Sequence, residues 1–232
     1  MRITPALLFA VFLTLFGALH LAAAEEDGVA LAIIYDTSGS MKEPVRDRAG
    51  KSTPKYVIAN RALIAVAKQI QAFATNSPAE PRKISAGLFT FTDSGAREAI
   101  KFGPFDGDAM EKWATGFSNP SGGTPIGTAL RTATQSVLNS PLSRKHVLVI
   151  TDGENTVGPG PAAVMPDLNR RAEQKQTTVF VHFVAFDVDA KVFEPVKKLG
   201  ATVVSAADES QLNSQLDFVL QNQILLEKPT NK

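Results

Sequence analysis

The sequence predicts an α/β fold with a mostly parallel sheet and helices on both faces. Two observations carry this. Four apolar runs, at 29–35, 84–91, 146–150 and 179–186, lack regular polar alternation, as expected of strands buried on both faces. Stretches with helical spacing of apolar residues lie between them, and strands alternating with helices in this way imply crossover connections and a parallel sheet. A fifth, shorter strand is expected at 201–205, and 99–102 is a candidate antiparallel edge strand paired with 84–91.

The helices follow in chain order. Thr53 and Pro54 form a start signal: a hydroxyl N-cap, then proline at the first helical position, where its missing N–H costs nothing. Apolar residues then recur at Ile58, Ala62, Ile64, Ala65, Ile70 and Phe73. A second helix is expected at 108–115. Pro125 opens a third, which carries Ile126, Ala129, Leu130, Ala133, Val137 and Leu138. Others are expected at 166–176, 190–199 and 209–226, with Gly200 placed as a C-cap glycine. No internal repeat, low-complexity tract or second domain is evident.

The first 24 residues read as a secretory signal peptide. Arg2 supplies a positive start, residues 7–21 form an apolar core interrupted by Thr14 and His20, and Ala22, Ala23 and Ala24 precede the charged run Glu25, Glu26, Asp27. The core is short for a membrane span of about 20 residues, so cleavage near Ala24 is expected rather than retention as an anchor. This divides the chain into a signal peptide (1–24), one domain (25–227) and a loose tail (228–232), and implies a secreted or periplasmic protein. Later, 218–226 is broken by Gln221, Asn222 and Gln223 and reads as an amphipathic helix, so no transmembrane span is expected in the mature chain.

Composition narrows the function. Arg2 is the one charged residue of the first 24, and without it the 24 basic residues become 23 against 23 acidic ones. A general nucleic-acid binder would need a basic excess. With no cysteine in the chain, disulfides, thiolate metal sites and cysteine nucleophiles are excluded.

The residues that follow the buried strands carry the chemistry, because ligands of open α/β sheets bind beyond the carboxyl ends of the strands. After the first strand comes Asp36-Thr37-Ser38-Gly39-Ser40. After 146–150 comes Thr151-Asp152-Gly153, and before the Pro125 helix lies Gly122-Gly123-Thr124. Two carboxylates and three hydroxyls would offer the oxygens a hard cation such as Mg²⁺ takes, in an octahedron completed by water. Softer metals would need His or Cys, absent from these segments. Gly39 is expected to permit a tight turn that lets side chains two apart face one point.

Together the three segments resemble the metal-ion-dependent adhesion site of the von Willebrand factor A family, and the resemblance extends from Val29 to the C-terminal helix. It implies a doubly wound three-layer sandwich with a mostly parallel sheet of about six strands and one antiparallel edge strand. It also implies direct metal ligation by Ser38 and Ser40, with Asp36 often one water away. Thr124 would approach directly or through water, and Asp152 through water. The cofactor implied is Mg²⁺ (or Mn²⁺ or Ca²⁺). The partner implied is a protein that presents an Asp or Glu carboxylate to the open coordination position. Residues 41–52 lengthen the usual link to the first helix, which is similar to a bacterial subgroup of the family.

Other features read as structural. Gly50-Lys51-Ser52 lacks the earlier glycine and the preceding strand of a phosphate loop and is a solvated turn. His146 and His182 lie inside apolar strands and read as core or edge histidines. Asp93 reads as a turn residue, Trp113 as packing, and Pro159-Gly160-Pro161 as a rigid loop. The expected function is metal-dependent binding, without catalysis. Its rivals are a metal-dependent hydrolase, for which Glu154 is the best candidate base, and a scaffold subunit of an envelope complex with a vestigial metal site.

Overall fold

The computed structural model describes residues 25–76, 82–93 and 95–226. The expected signal peptide (1–24) and tail (228–232) lie outside the described residues. The elements in order are β1 (Glu26–Tyr35), a 3₁₀ turn (Gly39–Lys42), β2 (Pro44–Arg46), β3 (Ser52–Pro54), α1 (Lys55–Thr75), β4 (Ile84–Phe91) and β5 (Ala96–Pro104). After these come α2 (Gly107–Gly116), α3 (Ile126–Leu138), β6 (Leu142–Thr151), α4 (Pro161–Gln174), β7 (Val179–Phe186) and a 3₁₀ turn (Ala190–Phe193). The last are α5 (Glu194–Lys197), β8 (Thr202–Ala206) and α6 (Glu209–Val219), which runs on into a π turn (Leu220–Leu225).

Six strands form the main sheet in the order β5-β4-β1-β6-β7-β8. All neighbours are parallel except β5, which runs antiparallel to β4 at one edge. Strand β1 is therefore central, and its residues alternate between two cores, as the twofold period of a strand requires. Val29, Leu31, Ile33 and Tyr35 pack with α1, α2 and α6, whereas Ala30, Ala32 and Ile34 pack with α3, α4 and α5. This is the three-layer α/β sandwich expected. From β1 the chain builds outward to β4 and β5, then returns to place β6 on the other side of β1. The strand order thus reverses between β1 and β6, and the crevice above that pair is where the topology leaves room for a ligand.

Several boundaries differ from expectation for identifiable reasons. Thr53 and Pro54 do not cap and open α1. They belong to β3, which pairs with β2 as a small hairpin, and the Thr53 hydroxyl donates to Asp47 Oδ2 at 2.9 Å instead. The hairpin occupies the long link before α1 and is fastened to α6 where Glu209 accepts the Arg48 N–H at 3.0 Å and pairs with Arg61 at 3.3 Å. Helix α4 starts at Pro161, earlier than expected, and contains Pro166 in its second turn. The segment 190–199 is not one helix. Pro195 has no N–H for the Lys191 carbonyl, so the chain forms a 3₁₀ turn before the short α5. Gly200 does close that segment in the left-handed conformation, with φ +96°.

His146 on β6 and His182 on β7 are buried and meet directly, Nδ1 of the first 3.2 Å from Nε2 of the second. Burial, and secondarily the nearby His146, depress the His182 pKa from 6.5 to about 3. Above pH 6.5 neither folded nor unfolded protein holds this proton, and the contribution to stability is complete. As the pH falls, the unfolded chain takes up a proton that the folded one refuses, and stability is lost progressively down to about pH 3. Between pH 7 and pH 5 this one group should remove about 2 kcal/mol. Urea denaturation at the two pH values should show that difference in the wild type and a correspondingly smaller one in His182→Leu.

Candidate metal centre

The site begins where β1 stops. The Asp36 N–H donates to the Ile150 carbonyl at 3.0 Å, one rung beyond the last residue of β1. Its side chain turns under the loop that follows. Oδ1 accepts the Ser38 N–H at 2.8 Å and Oδ2 accepts the Thr151 hydroxyl at 2.5 Å. The carboxylate is fully buried. Ser38 and Ser40 bring their hydroxyl oxygens within 3.0 Å of each other, and Ser40 Oγ donates to Asp152 Oδ1 at 2.9 Å. Four of the five expected residues therefore form one connected cluster above β1 and β6.

Thr124 arrives on a separate loop that is fastened to both strand ends. Thr37 O accepts the Ser121 N–H at 2.7 Å and Gly122 O accepts the Gly39 N–H at 3.0 Å. Thr124 and Thr156 bind each other: the Thr156 hydroxyl accepts the Thr124 N–H at 2.8 Å, and the Thr124 carbonyl accepts the Thr156 N–H at 3.0 Å. A Cβ added to Gly153 would stand 3.9 Å from Ser40 Oγ and 4.0 Å from Thr124 Oγ1, which places both hydroxyls around that turn. Gly39 is not the residue with special backbone. It lies in the 3₁₀ turn, and the left-handed conformation falls on Gly122, with φ +81°.

The arrangement suits a hard cation chemically. Mg²⁺ takes hard oxygen ligands, and the Ser38, Ser40 and Asp152 oxygens already converge within hydrogen-bond distance, 3.0 Å and 2.9 Å apart in turn. Among the described residues no three His, Asp or Glu side chains gather as a metal site, and the oxygens that converge here include the hydroxyls of Ser38, Ser40 and Thr124. The electrostatics also call for positive charge. Burial, with the nearby Asp152 carboxylate adding to it, raises the Asp36 pKa from 3.8 to about 6.

One member of the site was not anticipated. Lys55, the first residue of α1, has a side chain only 4% exposed and places Nζ 3.1 Å from Asp152 Oδ2, 3.1 Å from Asp187 Oδ2 and 3.2 Å from Glu43 Oε2. Burial works against its charge, yet the three carboxylates prevail and the lysine pKa is raised. Asp152 is raised as well, because burial outweighs what Lys55 and Ser40 return to it. The carboxylates around Lys55 favour its charge, while burial still works against the charge on Asp152. A signal was present in the sequence: a lysine at the first position of a helix opposes the helix dipole and needs a reason to be there.

The remaining candidates lie as follows. Glu154 is exposed and makes no hydrogen bond or ion pair among the described residues. Asp93 is exposed near Gly122, whose added Cβ would stand 3.6 Å from its Oδ1. Trp113 stacks on Phe117 and meets the edge of Tyr35, the residue before Asp36. It is packing beneath the site. The rigid Pro159-Gly160-Pro161 loop covers the start of α3, where a Cβ on Gly127 would come 2.1 Å from the Pro159 carbonyl.

A raised carboxylate pKa has a definite linkage. Without a cation, the stability associated with Asp36 is complete below pH 3.8 and is lost as the pH rises through about 6. An asparagine can keep the Ser38 contact, and the Thr151 hydroxyl can turn to donate to the Gly153 carbonyl, now 3.3 Å away, while accepting from the new amide. In EDTA at pH 7.5, Asp36→Asn should therefore be more stable than wild type by up to about 3 kcal/mol. The advantage should disappear near pH 3.5, as read from denaturant midpoints.

Comparison with known proteins bears on the fold and the family. No curated protein matches the chain. Among solved structures, the PilB minor pilin from Streptococcus sanguinis superposes with a TM-score of 0.59 at 16% identity, covering 84% of this chain and 61% of the pilin. This chain thus spans less than two thirds of that protein. The vWF domain of the type V pili tip protein Mfa5 from Porphyromonas gingivalis gives 0.59 at 12% identity, covering 84% of this chain and 95% of the domain. An aerotolerance-related membrane protein from Bacteroides fragilis gives 0.58 at 17% identity, covering 85% and 98%. These likenesses establish the fold. The family model of the von Willebrand factor type A domain matches residues 30–218, and with the strand order and the three loop segments now in place, the chain belongs to the von Willebrand factor type A domain family.

Proposed function

We propose that this domain binds one divalent cation, Mg²⁺ or Mn²⁺, and uses it to capture a protein partner through an acidic side chain, outside the cytoplasm. Ser38 and Ser40 would hold the cation directly. Asp36, Thr124 and Asp152 would complete its surroundings directly or through water. A partner carboxylate entering the open position would make a charge-assisted contact in a partly desolvated site. The observation that carries this reading is the connected run of oxygens from Ser38 through Ser40 to Asp152, beside the fully buried carboxylate of Asp36. The export reading of the first 24 residues and the likeness to a minor pilin and a pilus tip protein support a role in adhesion or assembly at the cell surface. Among the described residues no helix is long and apolar enough to cross a membrane. We favour binding over hydrolysis because Glu154 stands exposed and outside the hydrogen-bonded set.

One observation favours a second reading, a cation-free scaffold: Lys55 already supplies positive charge to Asp152. Melting temperatures in EDTA and in about 10 mM Mg²⁺ or Mn²⁺ separate the two. With a Kd near 1 mM, mass action adds about 1.4 kcal/mol, or roughly 3–6 °C for a domain of this size. The wild type should show this shift and Asp36→Ala should not. Capture of a partner should then fail in Asp36→Ala, whereas partner capture that is equal in the two proteins would favour the scaffold.

A further inference from the structure

Lys55 Nζ donates to Asp152 Oδ2 at 3.1 Å and to Glu43 Oε2 at 3.2 Å, and it also forms an ion pair with Asp187 Oδ2 at 3.1 Å. The three carboxylates come from separate parts of the chain and differ in exposure. Asp152 has a fully buried side chain, Asp187 is 41% exposed and Glu43 is 67% exposed. Asp187 is held in place by backbone. It follows β7 in a left-handed conformation, φ +55°, which a non-glycine residue rarely adopts, and its N–H donates to Ala206 at 2.7 Å. The buried carboxylate is the one that the cation site shares, with Oδ1 on Ser40 and Oδ2 on Lys55.

We infer that Lys55 is a tethered ammonium that sets the cation affinity of the site: it competes with the metal for Asp152, and Asp187 and Glu43 draw it away. The inference rests on the cation-binding reading above and goes beyond it by assigning control of the affinity to residues outside the adhesion-site motif. The physical ground is simple. Two positive charges that share one buried carboxylate repel strongly in a low-dielectric setting. Without the metal, the ammonium offsets the mutual repulsion of Asp36 and Asp152 and orients Asp152 toward Ser40. Once a metal is present, that ammonium is a cost, and the outer carboxylates reduce it.

Isothermal titration calorimetry with MgCl₂ and MnCl₂ tests this on residues 25–232. The proteins are wild type, Lys55→Met, Asp187→Asn and the double variant, with Asp36→Ala as the blank. Lys55→Met should tighten the cation at least tenfold and lower the melting temperature in EDTA. Asp187→Asn should weaken the cation several-fold when Lys55 is present and change it less than twofold in the Lys55→Met background, because Asp187 acts through the lysine. Lys55→Gln, which can still donate to a carboxylate, serves if the methionine variant does not fold and should also tighten the cation.

An unchanged or weaker Kd without Lys55 overturns the inference, as does an Asp187→Asn effect that persists in the double variant. If wild type binds a cation with the same Kd as Lys55→Met, the lysine proposal alone fails. If no variant binds one, the cation reading fails and takes this proposal with it. Binding seen only in the variants without Lys55 supports it in its strongest form.

Discussion

Burying an ionised carboxylate costs several kcal/mol unless donors reach its oxygens and positive charge stands near. Asp36 imposes that constraint at the end of β1, and much of the local structure satisfies it. The Ser38 amide takes one oxygen and the Thr151 hydroxyl takes the other. The loop after β1 must turn back over its own carboxylate to deliver that amide, and the turn is what brings Ser38 and Ser40 to one side. Hydrogen bonds soften the demand without meeting it, as the raised Asp36 pKa shows.

The sheet makes this arrangement rigid. Tyr35 is buried, donates to Asn60 Oδ1 at 2.7 Å, and is boxed by Trp113 and Phe117. Thr37 ties the end of β1 to the last residue of β4, accepting the Phe91 N–H at 3.1 Å. On the other side, the β1–β6 ladder sets Asp36 level with Thr151. Three loops that are far apart in sequence therefore share a floor of paired strands, and the hydroxyls above it inherit their spacing from the ladder. A site built on strand ends in this way is positioned more accurately than one built on free loops.

Charge is then distributed around the rim. Asp152 stands between two claims: a hydroxyl that belongs to the candidate metal site and an ammonium that belongs to α1. Lysine at a helix start, almost wholly buried, is a costly choice. It is sustained because the 3₁₀ turn, the loop after β6 and the loop after β7 each bring a carboxylate to the same nitrogen. The hairpin between Met41 and α1 contributes by fixing where α1 begins.

Strand composition determined much of this protein before any tertiary contact. Strands 84–91 and 179–186 coincide residue for residue with β4 and β7, because buried parallel strands must be apolar on both faces. Strand β6 extends further back than its apolar run, since Lys145 can lie buried in a strand when Glu25 meets its ammonium at 3.0 Å. Asp36, Ser38, Ser40, Thr124 and Asp152 were legible as a group because each follows or adjoins an element whose end the periodicity locates. A hydroxyl before a proline looks like a cap, but the β2–β3 hairpin takes Thr53 into a strand and Asp47, in its turn, accepts the hydroxyl. The place of Lys55 at a helix start was a signal, but which carboxylates meet it (Glu43, Asp152 and Asp187) was not legible. Side-chain type and periodicity are local properties that a sequence carries by itself. The charge felt at a site is a sum over groups within a few ångströms, and only folding decides which groups those are.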